Sequence, residues 1–353
     1  MISRGEMPQL RRVCVVAWGG AAVSWELATP GRLVPSLATC AAFLLLATGC
    51  ALHIRRGLLG ELRRSQEIAG AAQRALLRPL PGRIDGLMLA AAQLSASRGA
   101  AVGGDLYEAV PTAYGVRVVI GDVRGHGLPA LGAATAVLGA FREAAYDEVS
   151  LGGVLRRMER ALGRHLRDRA RSEHPAACTG EPVSPSAEEF VTVLLLEIAP
   201  DGTLLALNCG HPWPYRIRTA PVPEHCAARN RGSAPDHAPH RSAGPDPSAQ
   251  RTTDVQALDG ETLPPLGVVP VPVDTQPHPV GELRPGETLF LHTDGAEEAR
   301  DAAGTFFPLR SVLAEAPLTP ARLVAGVHAA LLRHTGGRLA DDVALLVLRN
   351  DRS

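Results

Sequence analysis

The sequence predicts an α+β protein: an antiparallel β-sandwich flanked by helices and preceded by two membrane-spanning helices. Three observations carry that expectation. Short apolar runs bunch together between paired stretches of helical periodicity, where a doubly wound parallel sheet would alternate strand and helix one for one. A long uncharged run stands near the N-terminus. Aspartates beside glycines or turns recur at the ends of apolar runs, where strands would meet loops.

Composition bounds the reading first. The 353 residues, 46% of them hydrophobic, are enough for one large core or two ordinary ones. The 36 basic and 36 acidic residues balance, so nothing in the net charge argues for a nucleic-acid partner. All the basic residues are Arg, with no Lys, which together with the abundant Ala, Gly and Pro reads as coding bias and lowers the information in any one Arg. Cys14, Cys40, Cys50, Cys178, Cys209 and Cys226 show neither CxxC nor Cys/His ligand spacing, against a structural zinc site or a disulfide framework.

At the N-terminus, Leu33 to Ile54 has about 22 residues without an acidic or Arg side chain, roughly 33 Å as a helix and enough for a bilayer core. Val13 to Trp25 is a shorter apolar run, followed by the tight turn Thr29-Pro30-Gly31. The expectation is a membrane hairpin over 1–56 with helices at about 11–29 and 33–54. Arg4, Arg11 and Arg12 precede it, Arg55, Arg56, Arg63 and Arg64 follow it, and Arg32 alone lies between, so both ends face the cytoplasm. Residues 57–80 then show helical spacing up to Pro81-Gly82, as a juxtamembrane helix that is either a spacer or pairs with a second copy in a homodimer.

The folded region expected over 81–350 is built in order. Val116 to Ile120 reads as a strand running into GDVRGHG, Leu128 to Ala145 and Val154 to Leu166 as helices, and Phe190 to Ile198, Leu204 to Cys209, Thr288 to His292 and Val343 to Val347 as strands. Residues 171–187 and 221–253 break the pattern and read as surface insertions; His225, His237 and His240 in the second belong to a solvated loop.

The carboxylates carry the chemistry. Asp105 follows Gly103-Gly104, Asp122 ends a strand before Val123, Asp294 ends another in His292-Thr293-Asp294-Gly295, and Asp341-Asp342 precede a third. Any one of them alone is a turn residue or a helix cap. Together they describe strand ends converging on hard cations, because carboxylate oxygens and water complete the shells of Mg²⁺ or Mn²⁺.

GGDLYE, GDVRGHGLPA, FVTVLLLEIAPDGTLLALNCGHPWPYRI, LPPLGV, LRPGETLFLHTDGAEEA and ADDVALLVL, in that order, resemble the SpoIIE-type, RsbU-like serine phosphatases, the bacterial branch of the metal-dependent (PPM, protein phosphatase 2C-like) family. The resemblance spans about Ala71 to Arg349. A diguanylate-cyclase reading of GGD fails, since Leu106 and Tyr107 stand where that signature has Glu-Phe. The resemblance implies two Mn²⁺ or Mg²⁺ ions, with Asp105, Asp122, the Val123 carbonyl, Asp294 and Asp341 as ligands and Asp342 as a less certain member. Two such ions roughly 3.5 to 4 Å apart lower the pKa of water and offset phosphoryl charge, which leaves no need for a side-chain nucleophile.

It further implies hydrolysis of phosphoserine or phosphothreonine on a regulatory partner, in this family often an anti-anti-sigma (STAS-domain) protein. The other reading is a partner-binding scaffold with the same fold and little turnover, which the retained acidic positions disfavour. Arg124 either grips substrate phosphate or is a solvent-facing loop residue, and His126 reads as a turn residue between glycines.

Overall fold

The computed structural model describes residues 41–42, 44–60, 70, 76–94, 103–125, 127–173, 189–220 and 252–352. The chain divides into two compact units, Met1–Ser65 and Gln66–Ser353. In the first, residues 44–60 form helix α1, along which Leu44, Leu45, Leu52, Ile54 and Leu58 are exposed. Among the described residues, no helix is long and apolar enough to cross a membrane. The span expected over 33–54 is described only from residue 41, and the helix expected over 11–29 lies outside the described residues, as does most of 57–80.

The second unit holds two six-stranded sheets. One runs β1 (Arg83–Ile84), β2 (Leu87–Leu94), β12 (Val343–Asn350), β11 (Thr288–His292), β7 (Tyr215–Ala220) and β8 (Thr252–Ala257). The other runs β10 (His278–Glu282), β6 (Thr203–Cys209), β5 (Val191–Ile198), β4 (Gly115–Val123) and β3 (Leu106–Thr112), with β9 (Thr262–Leu263) beside β6. Every pairing is antiparallel except that of β9 with β6.

The central strands are apolar on both faces, and the two-residue period of a strand sorts their side chains into different cores. From β4 and β5, Val116, Val118, Ile120, Leu194 and Leu196 point toward the other sheet, into a cluster shared with Leu289, Leu291, Leu346 and Leu348 of β11 and β12. Val119, Val123, Val193 and Leu195 point the other way, onto helices α2 (Leu128–Asp147) and α3 (Leu151–Glu173). Likewise Phe290, Val343, Leu345 and Val347 leave the shared cluster and meet α5 (Leu309–Glu315) and α6 (Pro320–His334). The packing order is therefore helices, sheet, sheet, helices.

Local chemistry agrees with these elements. Pro129 opens the first turn of α2, where its missing N–H costs nothing, and Ala130, Ala133, Ala134, Val137, Phe141 and Ala144 recur on its buried face. Arg117 of β4 is fully buried, pairs with Glu197 at 2.7 Å and donates to the carbonyls of Ala145, Glu148 and Val149, which pins the α2–α3 turn to the sheet. Arg171 to Glu173, at the start of the first expected insertion, complete α3, and Thr252 and Thr253, at the end of the second, open β8. The rest of both insertions lies outside the described residues.

Candidate active site

Asp122 continues the stripe of Val116, Val118 and Ile120, so at the end of β4 it faces the space between the sheets. The GGD loop reaches it by close approach. Val123 N–H donates to the Gly104 carbonyl at 3.2 Å, and a Cβ on Gly104 would overlap the Val123 carbonyl and stand 2.7 Å from Asp122 Oδ1. Neither Gly103 nor Gly104 has a positive φ. The two glycines thus let a backbone carrying Asp105 lie against the backbone carrying Asp122.

The first sheet delivers the remaining acids. Asp294 follows β11 and caps the short helix α4 (Gly295–Glu298), accepting from Gly295 N–H at 2.9 Å. Gly295 is pressed against the Asp342 carbonyl, where a Cβ would overlap, which brings the ends of β11 and β12 together. Asp342 is buried, and a Cβ on Gly103 would stand 2.5 Å from its Oδ2. Asp341 is exposed and accepts from Asp342 N–H at 2.8 Å.

These carboxylates feel one another. Burial, then Asp122 and Asp342, holds the Asp105 carboxyl well above the usual carboxylate range, against a smaller opposite pull from the Thr293 side chain. Asp122 is pushed up to about 8, by burial first and then by Asp294, Asp341 and Asp342. Asp294 is raised by burial, Asp341 and Glu298. Asp105 Oδ2 is buried without a hydrogen-bond partner. A cluster of this kind, with an orphaned carboxyl oxygen, is costly alone and is suited to cations.

Among the described residues, no group of three or more His, Cys, Asp and Glu side chains stands close enough to hold an ion as it is. The donors are nevertheless of the class that Mg²⁺ and Mn²⁺ prefer: hard carboxylate oxygens, with the Val123 backbone carbonyl next to the Asp122 strand end and the GGD loop. The residues fit a divalent-cation site by chemistry and by mutual electrostatics.

Other residues of the quoted motifs are also of interest. Arg124 is exposed, its guanidinium 5.3 Å from the Phe190 ring centroid, and its N–H donates to the Phe190 carbonyl. Glu108 serves packing, accepting from Arg142 at 2.7 and 2.5 Å, and the same Arg142 donates to the Leu76 carbonyl. His126 lies outside the described residues. Sequence reading missed Thr293, which is buried beside Asp105 and accepts from Ala344 N–H of β12 at 2.9 Å. It also missed Thr192 and His211, joined at 3.1 Å beneath the site. The NCGH run that places His211 was visible as part of a motif, but its contacts lie in distant strands.

Comparison with known proteins bears on the same region. The family described as Stage II sporulation protein E (SpoIIE) matches residues 112–231 and 237–351. No curated protein matches by sequence. Among solved structures, the chain is similar to the protein phosphatase 2C domain of SiaA from Pseudomonas aeruginosa, with a TM-score of 0.53 and 18% identity over 83% of this chain and 98% of that one. It is also similar to the RsbU and RsbW domains of a Mycobacterium tuberculosis protein (TM-score 0.49, 20% identity, 76% of this chain and 63% of that one). A third is the phosphatase domain with a regulatory-domain fragment of SpoIIE from Bacillus subtilis (TM-score 0.49, 15% identity, 76% and 64%). The chain thus spans just under two thirds of the last two.

Proposed function

We propose a reaction for a chain that belongs to the stage II sporulation protein E (SpoIIE) family of phosphatase domains: hydrolysis of phosphoserine or phosphothreonine on a regulatory partner protein. The observation that carries it is the like-charge cluster of Asp105, Asp122, Asp294, Asp341 and Asp342, drawn from strand ends and loops of both sheets, with Asp105 Oδ2 buried and unpartnered. Asp105, Asp122, Asp294, Asp341 and the Val123 carbonyl would hold two Mn²⁺ or Mg²⁺ ions, with Asp342 behind them. When bound, such ions supply the acidity that makes water a nucleophile at neutral pH, and they offset the charge of the phosphoryl oxygens.

The protein's own residues do the rest. The close packing of Gly104 on Val123 and of Gly295 on Asp342 keeps the backbones that carry the carboxylates against one another. Asp294, anchored at Gly295 N–H, is kept from turning away. Arg124, whose guanidinium lies over the Phe190 ring, would orient a phosphoryl group by a forked contact.

The partner is read as a STAS-domain anti-anti-sigma protein, by analogy with the regulatory role of RsbU-like phosphatases. The uncharged run 33–54 and its flanking arginines support anchorage in the cytoplasmic membrane as a two-helix hairpin with the catalytic unit in the cytoplasm. A homodimer through 57–80 is compatible with the helical spacing there. Release of phosphate from a phosphoserine peptide and from a phosphorylated STAS protein, with added Mn²⁺, tests the reaction and the partner separately. No release from either substrate would refute the reaction.

A further inference from the structure

Beneath the carboxylates lies a buried polar group with no part in the proposed chemistry. His211, in the turn after β6, is 4% exposed. Its backbone is locked locally: His211 N–H donates to Asn208 Oδ1 and Asn208 Nδ2 donates back to the His211 carbonyl, both at 2.8 Å. A turn clamped at both backbone groups presents its ring in one direction. The ring then meets both sheets.

On one side, His211 Nδ1 lies 3.1 Å from Thr192 Oγ1. Thr192 is the register partner of Asp122 across β4 and β5, and its hydroxyl also reaches the Asp122 backbone carbonyl at 3.4 Å. The Thr–His bond survives either tautomer, because a hydroxyl both donates and accepts. On the other side, the ring lies against His292, whose backbone carbonyl favours a proton on it. Ring Nε2 makes no hydrogen bond of normal geometry, so this second contact is the looser one. His292 is the last residue of β11, two before Asp294, at a point where β7, which pairs with β11 only over Thr288 to Phe290, no longer runs beside it.

His292 is itself held, stacked on Tyr215 at 5.7 Å between ring centroids, while the Tyr215 hydroxyl donates to Glu297 at 2.7 Å. Burial, and then the neighbouring His292, push His211 down to about 3, so the ring is neutral near pH 7 and brings no positive charge to a site for cations.

We propose that His211 is a positioning residue that sets the spacing between the strand ends carrying Asp122 and Asp294, by bonding Thr192 of one sheet and lying beside the His292 backbone of the other. This rests on the reading of the aspartates as a divalent-cation site. Partners that orient metal ligands from behind change metal affinity by about 10–100-fold when lost, whereas an ordinary core residue lowers stability without a matching loss of affinity.

The test is calorimetric titration of Mn²⁺ into the full-length chain, with a thermal melt of each sample. The variants are His211→Ala, Thr192→Val, His211→Asn and, as a stability control far from the site, Leu313→Ala in α5. His211→Ala and Thr192→Val should weaken Mn²⁺ binding about tenfold or more, while Leu313→Ala lowers the melting temperature and leaves Mn²⁺ binding unchanged. His211→Asn, whose amide sits near the Nδ1 position, should recover part of the affinity.

If His211→Ala does not fold, Thr192→Val decides, since it removes only the hydroxyl. Mn²⁺ affinity within twofold of wild type in folded Thr192→Val, or an equal loss in Leu313→Ala, would overturn the proposal. Wild-type protein that binds no Mn²⁺ would overturn the cation reading as well.

Discussion

Gly104 and Val123 are in such close backbone contact that a methyl group on Gly104 would overlap the Val123 carbonyl oxygen. That contact explains why a glycine pair precedes Asp105. The loop bearing one acid is laid on the strand end bearing another, with Val123 N–H bonded to the Gly104 carbonyl. Gly104→Ala must push these backbones apart. Phosphatase activity should fall by about a hundredfold, as expected for a displacement on the order of 1 Å at a reacting centre, while the chain still melts cooperatively. Steady-state assay with circular dichroism melts would check this; full activity in Gly104→Ala would show that the approach is incidental.

Asp122→Asn and Asp294→Asn keep shape but each remove a charge from the cluster. Each should reduce turnover by orders of magnitude, and the double variant should cost much less than the sum of the single losses, because the acids act as one unit. Asp201 is the control. It sits in an exposed turn, where it accepts from Thr203 N–H at 2.9 Å, a bond that Asn preserves, so Asp201→Asn should retain activity. Kinetic constants for the set, measured at saturating Mn²⁺, decide.

The raised carboxyl of Asp122, at about 8 against an ordinary 3.8, fixes a sign. A carboxyl whose pKa is higher folded than unfolded binds more protons in the folded state, so its contribution to stability is full below the unfolded value and is lost as pH rises through the folded one. Asp105 is shifted in the same direction. Without divalent ions the melting temperature should therefore fall between about pH 4 and pH 8 through these groups. Asp122→Asn should flatten the slope. Added Mn²⁺ should raise the melting temperature more at pH 8 than at pH 5, because ligand oxygens must be deprotonated to bind it. Melts in chelator and in Mn²⁺ across that range test the sign directly.

Arg117 separates stability from catalysis. Replacing it by Met leaves Glu197 and the carbonyls of Ala145, Glu148 and Val149 without their donor. The cost should be about 3–5 kcal/mol, the usual range for breaking a buried pair from one side. Mn²⁺ affinity of the protein that remains folded should be unchanged. Urea denaturation and Mn²⁺ titration of Arg117→Met would check both halves.

Much of this architecture is legible in the sequence because its inner strands are apolar on both faces. Val116–Ile120, Phe190–Ile198 and Val343–Val347 read as strands without any knowledge of their partners. The edges are not legible in the same way. His278–Glu282, at the edge of its sheet, has little apolar content, since exposed edge strands carry polar residues that no periodicity separates from loop, and Tyr215–Ala220, one strand in from an edge, interleaves Arg with other residues.

The acids at strand ends were visible because glycine or a strand boundary marks each one. Thr293, Thr192 and His211 were not, because what gives them a role is a neighbour in another strand: Ala344 for Thr293, Asp122 for Thr192 and His292 for His211. The relative standing of Asp341 and Asp342 also depends on folding. The first is exposed and the second buried against the GGD loop, a difference that two adjacent identical residues do not announce.

The most direct measurement of the central claim is a Mn²⁺ titration of the metal-stripped, full-length chain, following phosphate release from a phosphoserine peptide. The account predicts no turnover after thorough chelation, saturable recovery as Mn²⁺ is added, and no recovery in Asp122→Asn at the concentration that restores wild type. Turnover that persists after chelation, or Asp122→Asn recovering alongside wild type, would contradict it.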